Sequence, residues 1–261
     1  MTLGRATASL LLLAALPARA YRPFNSTDAA VADPGKIEIE AGPLGLLTEG
    51  SNRFVVAPSL ILNWGFAERW EVVLEGRHFV RIGSNRSAEP RRRVDDSALS
   101  LKTVLREGVL QEKGGPSLAA ELGALLPAIH GEGGAGVELA VIASERWEAL
   151  TVHLNGAASW TRAHAPGYFG GLILEGHDAW TLRPVTEVFV EGERDLPVTV
   201  SWLGGAIWRL QDDFSLDAAL RLARSGGANT TEIRAGLTWE FGVGGSHDRN
   251  DLARSVARRR R

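Results

Sequence analysis

Glu232-Ile233-Arg234-Ala235-Gly236-Leu237-Thr238-Trp239-Glu240-Phe241 alternates residue by residue. Ile233, Ala235, Leu237, Trp239 and Phe241 fall on one side; Glu232, Arg234 and Glu240 fall on the other. Successive side chains of a strand point to opposite faces, so this segment is a strand with one apolar and one charged face. Runs of roughly ten to fourteen residues match the length needed to cross a bilayer at a tilt. Strands in soluble sandwiches are shorter, about five or six residues.

Working back towards the N-terminus, the same period recurs about eleven more times. Leu216, Ala218, Leu220 and Leu222 oppose Ser215, Asp217 and Arg221. Val188 and Val190 oppose Glu187 and Glu191, and Leu150, Val152 and Leu154 oppose Thr151, His153 and Asn155. Leu99, Leu101 and Leu105 oppose Ser100, Lys102 and Arg106. Phe54, Val56, Pro58, Leu60, Leu62 and Trp64 read as one apolar face, and Ile37 and Ile39 alternate with Glu38 and Glu40. The expectation is an all-β chain: an antiparallel, up-and-down transmembrane β-barrel of about 12 strands over residues 36–241. An even count returns both barrel ends to the same side.

The flanks have a different character. Arg5, an apolar run from Ala6 to Leu16 and the small-x-small triplet Ala18-Arg19-Ala20 read as a signal peptide over 1–20, cleaved after Ala20. Residues 21–35 form a polar lead, and 242–261 a basic tail ending in four arginines, expected to be disordered. The chain has no cysteine, which excludes disulfides, thiolate metal sites and thiol catalysis. Its formal net charge of −2 gives no argument for nucleic acid.

Connections and tryptophans test the membrane reading. With the first strand rising from the periplasm, the connections Gly65–Arg69, Gly108–Gly114, Ser144–Arg146, Thr181–Leu182 and Gln211–Asp213 are inner, and the Arg-rich Gly83–Arg93 is outer. Inner turns are expected to be the shorter set. Trp64, Trp70, Trp147, Trp180, Trp208 and Trp239 then share the inner rim, as an interfacial girdle does. The partners this implies are outer-membrane lipid, the barrel-assembly machinery and a small-molecule solute.

The run Leu62-Asn-Trp-Gly-Phe-Ala-Glu-Arg-Trp-Glu-Val-Val-Leu-Glu-Gly76 resembles outer-membrane proteins of the meta-pathway phenol-degradation, "transporter"-like family. Further echoes are Asp96-Ser-Ala-Leu-Ser-Leu-Lys102, Leu126-Pro127, Arg183-Pro-Val-Thr-Glu187, Trp208 with Phe214-Ser-Leu-Asp217, and Gly236-Leu-Thr-Trp-Glu-Phe241. The resemblance covers about residues 36 to 241 and implies a barrel moving small, often hydrophobic molecules. Two departures stand out: the tail beyond Phe241, and a girdle built of tryptophan with only two tyrosines in the chain.

Alternation places Glu75, Arg77, Lys102, Glu121, Glu187, Asp217, Arg221, Glu232 and Arg234 on the lumen face, with Glu38, Glu138, His153 and Glu175. Such mixed charges can line a pore or fill it. Glu187, Asp217 and Arg221 are the preferred constriction, since two of them lie in family-like motifs. The alternative is a filled barrel whose function lies in its outer loops, with Arg86, Arg91, Arg92 and Arg93 offered to lipopolysaccharide phosphates. An outer-membrane lipid-modifying enzyme is the third reading. It lacks support: Gly-x-Ser-x-Gly and His-Glu-x-x-His are absent, and His153 and Ser159 are too far apart on their strand to bond. No catalytic residue, metal or cofactor is expected.

Overall fold

The structure, a computed structural model, describes residues 22–83, 90–131 and 133–243. The expected signal segment with its cleavage point, Arg86 and the tail from residue 244 lie outside the described residues. Twelve antiparallel strands close into a barrel in sequence order. They are β1 (Lys36–Glu49), β2 (Asn52–Ala67), β3 (Trp70–Ile82), β4 (Arg92–Arg106), β5 (Ser117–Leu125) and β6 (Gly136–Arg146). β7 (Leu150–Trp160), β8 (Pro166–Gly176), β9 (Leu182–Glu193), β10 (Thr199–Arg209), β11 (Phe214–Ser225) and β12 (Ala228–Gly242) follow. β12 pairs with β1, from Lys36 opposite Gly242 to Glu49 opposite Thr230, so the sheet has no free edge.

Alternation sorts the two faces as the sequence predicts over most of this sheet. Leu74, Leu99, Leu122, Leu154, Val188 and Ile233 stand exposed on the outer wall, while Glu71, Lys102, Glu187 and Glu232 are buried inside. All eight tryptophans are exposed on the outside. Trp64, Trp70, Trp147, Trp180, Trp208 and Trp239 lie at the rim where β1 begins, and Trp160 and Trp202 lie towards the other. We call these the Trp rim and the far rim.

Two expectations fail. Phe54 and Val56 do not share a face with Leu60 and Trp64: both point inward and are buried, packed with Leu47 and Phe79. An extra residue at Ala57–Pro58 shifts the β2–β3 register between Val56 and Ser59, and one residue of shift reverses every side chain beyond it. The length rule for connections also breaks, because 107–116 at the Trp rim is as long as 126–135 at the far rim. The Trp-rim segment is long because it folds inward. Its short 3-10 turn, Val109–Gln111, buries Leu110 against Ala29, Ala30, Ala119 and Ile142.

The polar lead is not outside the barrel. From Gly35, whose N–H donates to Gly65 O (2.7 Å), the chain runs back through residues 33–22 into the lumen.

Candidate functional site

The lumen wall holds this N-terminal segment chiefly by its backbone. Glu71 on β3 accepts from Ala32 N–H (2.7 Å), and Ser144 Oγ on β6 accepts from Ala29 N–H (3.0 Å). Asn155 on β7 brackets Thr27, accepting from its N–H (3.0 Å) and donating to its carbonyl (2.8 Å). Glu187 on β9 accepts from two consecutive amides, Asn25 (2.8 Å) and Ser26 (2.7 Å). Glu40 on β1 accepts from Arg22 N–H (2.8 Å), and Arg234 on β12 donates to Pro23 O (2.7 Å). Gln111, from the inward-folded connection, donates to Ala29 O (3.0 Å). A buried extended segment must satisfy its own amides and carbonyls, and here the barrel supplies the partners a sheet would otherwise provide.

Side chains of the segment add to this. Arg22 reaches Asp217 on β11 (Nε to Oδ2, 3.3 Å) and donates to Ser59 Oγ on β2 (2.8 Å). Lys102 on β4 is fully enclosed; its Nζ contacts Thr27 Oγ1 (3.2 Å), Glu71 (3.4 Å) and Asp28 (3.8 Å). Inward glycines give the segment room: a Cβ on Gly171 would run into Ser26 Oγ, and one on Gly236 into the Arg22 guanidinium.

Above the segment, towards the far rim, lies a cavity of about 610 Å³. Arg22, Phe24, Asn25, Ser26 and Thr27 are among the residues that bound it. Glu75, Glu121 and Glu138 line its wall on β3, β5 and β6. Glu232 on β12 gathers three arginines: Arg77, which reaches it from β3, Arg234 (2.8 Å) and Arg221 (3.7 Å). Arg77 also meets Asp96 (3.4 Å), and Arg221 meets Glu191 (3.2 Å) and lies over the Phe189 ring at 4.9 Å.

The preferred trio is therefore divided. Glu187 and Asp217 grip the N-terminal segment, whereas Arg221 belongs to the Glu232 cluster. Glu75, Arg77, Glu121, Glu232 and Arg234 face the cavity as alternation places them, and Lys102 lies beneath it against Thr27. Arg93 is not an outward loop arginine. It turns in over Phe54 and Phe79 (5.1 and 4.8 Å) and meets Asp95 (3.5 Å), while Arg91 and Arg92 stay exposed. His153 finds a serine, but on the next strand: its Nδ1 lies 2.8 Å from Ser144 Oγ, which is already engaged by Ala29. Among the described residues no group of three or more His, Asp or Glu side chains is placed to hold a metal ion.

The engaged segment is what sequence reasoning missed. The available signals were indirect: an Asn/Ser/Thr/Asp-rich lead, and glycines at the inward positions 171 and 236.

No family model matches the sequence, and no curated protein does. Solved structures do match in fold. An outer-membrane channel from Pseudomonas putida F1 is 12% identical, with a TM-score of 0.62 over 81% of this chain and 97% of that one. The NanC porin (7%, TM-score 0.55) and the KdgM porin (8%, TM-score 0.53) each match over 78% of this chain and at least 98% of theirs. At such identities the likeness is one of architecture: this chain has the closed barrel of those outer-membrane channels and porins.

Proposed function

We propose that the protein is an outer-membrane channel for small solutes, closed in the described state by its own N-terminal segment. The observation that carries this is the wall itself: apolar and tryptophan-rimmed outside, charged inside, and enclosing the cavity of about 610 Å³ above the segment. Only a membrane makes that outer face favourable, and only a lumen that admits water suits the inner one. With the Trp rim towards the periplasm, the cavity opens to the outside. Insertion would rest on the barrel-assembly machinery and outer-membrane lipid. The resemblance at Leu62–Gly76 supports small, hydrophobic or aromatic solutes as the class carried.

The engaged segment also favours a second reading, a filled barrel that carries nothing. Planar-bilayer conductance separates the two. The channel reading expects brief openings from the full chain and larger, sustained ones after deletion of residues 22–33. A folded barrel that stays silent in both forms decides for the filled one.

A further inference from the structure

Beneath the N-terminal segment, at the Trp rim, lies a second cavity of about 240 Å³. Ala30, Val31, Ala32 and Asp33 of the segment form its roof. Glu38 on β1, Glu240 on β12, Glu68 and Arg69 at the β2–β3 turn, and Glu107 and Glu112 beyond β4 line most of the rest.

These walls are more acidic than their cations offset. Lys36 serves both Asp33 (3.1 Å) and Glu240 (2.7 Å), and Glu107 meets Arg69 (3.3 Å) and Lys113 (4.0 Å). Among the described residues no cation pairs with Glu38, Glu68 or Glu112. Glu38 is the most confined of these, at 4% exposed. Asn63 Nδ2 reaches one of its oxygens (3.3 Å); the other has no partner and fronts the cavity. Burying a carboxylate is costly unless a positive group faces it. Among the described residues no three of these carboxylates are placed to hold a metal ion, so the charge suits a run of cations rather than a single one.

Such a run leaves the barrel beside the cavity. β12 ends at Gly242, and Val243 N–H donates to Gly35 O (2.7 Å), which puts the exit two residues from Asp33 and three from Glu240. Residues 244–261 carry six arginines and two aspartates, with Arg258 to Arg261 consecutive. At roughly 3.3–3.6 Å per residue these residues span up to about 60 Å, so the arginines reach every part of a cavity that starts at the exit.

We propose that residues 244–261 fold back into this acidic cavity, where Arg258 to Arg261 meet Glu38, Glu68 and Glu112 and lock the N-terminal segment from below. The segment is tethered at Gly35, so it leaves the lumen through the Trp rim, and the docked tail lies across that path. The docking stands on the cavity and its charge; its effect on opening rests on the channel reading above. Partly exposed ion pairs of this kind weaken as salt rises.

The chain has no cysteine, so two can be introduced for spin labels. Gly114→Cys projects into open space on the 107–116 connection, and Ala257→Cys adjoins the four arginines. The full-length double variant, nitroxide-labelled in neutral detergent, is measured by pulsed dipolar spectroscopy, with heat-modifiable migration reporting the fold. The expected result is one narrow distance distribution at low salt. It should broaden at about 1 M salt, where the screening length falls to about 3 Å. Adding Glu68→Gln and Glu112→Gln, both at exposed positions, should broaden it at low salt as well. A broad distribution in the parent, or a narrow one indifferent to those two carboxylates, overturns the docking. A narrow distribution lost on dilution with excess unlabelled chain assigns the tail to a second copy and overturns it too. Planar-bilayer recording reads the lock: Arg258→Gln, Arg259→Gln, Arg260→Gln and Arg261→Gln together should raise open probability about threefold to tenfold. Unaltered opening in that variant, with docking seen in the parent, overturns the lock. Docking in a barrel that never opens, the 22–33 deletion included, overturns the channel reading and leaves the docking standing.

Discussion

Arg22 and Asp217 stand 195 residues apart in sequence and 3.3 Å apart in space, joining the head of the described chain to β11. Arg22 reaches Asp217 inside the lumen, where both side chains are almost wholly enclosed. Asp217→Asn is expected to loosen the N-terminal segment by about 1.5–3 kcal/mol, the usual worth of a hydrogen bond to a charged group. That is roughly a tenfold or greater rise in open probability, read by single-channel recording. Unchanged gating in a folded variant would remove Asp217 from the closure.

Glu187 offers both carboxylate oxygens to adjacent amides, Asn25 and Ser26. Glu187→Gln keeps the shape but turns one acceptor into a donor facing an N–H. Hydrogen exchange across residues 22–33 should accelerate while exchange in the strands stays slow. Equal protection of the segment in variant and wild type would show that Glu187 does not hold it.

Gly171 and Gly236 test the fit from the opposite direction. Gly171→Leu puts a side chain where Ser26 Oγ lies, so the segment has to leave while the barrel keeps its pairing. The expected outcome is conductance like that of the 22–33 deletion, with unaltered heat-modifiable migration. A Gly171→Leu barrel as closed as wild type would contradict the placement of the segment.

Glu232 is shared by Arg77, Arg221 and Arg234. Glu232→Ala leaves three inward guanidiniums with less compensation. Losing one partner of a buried pair costs about 3–5 kcal/mol. The variant should unfold at lower temperature, and its reversal potential in a salt gradient should move towards anions. A shift towards cations would refute the assignment of these arginines to the conducting wall.

The eight exposed tryptophans give a direct test of the membrane band. Brominated lipids should quench most of the fluorescence, with deeper quenching absent because the indoles sit at the rims. Emission insensitive to brominated lipid would put the barrel outside a bilayer.

How much was legible beforehand follows from the range of each interaction. Period-two alternation is local, so runs such as Glu232–Phe241 and Leu216–Leu222 disclosed strands, their two faces and the inward charges. The tryptophans marked a rim for the same reason, since their positions within strands are a matter of counting. Counting fails at an inserted residue. Ala57–Pro58 turned Phe54 and Val56 inward with nothing in the apolar pattern to announce it.

The sequence by itself determined that this chain forms an alternating sheet of about twelve long strands with a charged inner face. Only the tertiary structure decided what those charges do. Glu40, Glu71, Asn155 and Glu187 act on the backbone of residues 22–32, and a backbone N–H has no signature in sequence to reveal its partner. Closure brought the polar lead inside, because a lumen lined with buried carboxylates and amides is satisfied best by an extended segment carrying donors and acceptors at every residue.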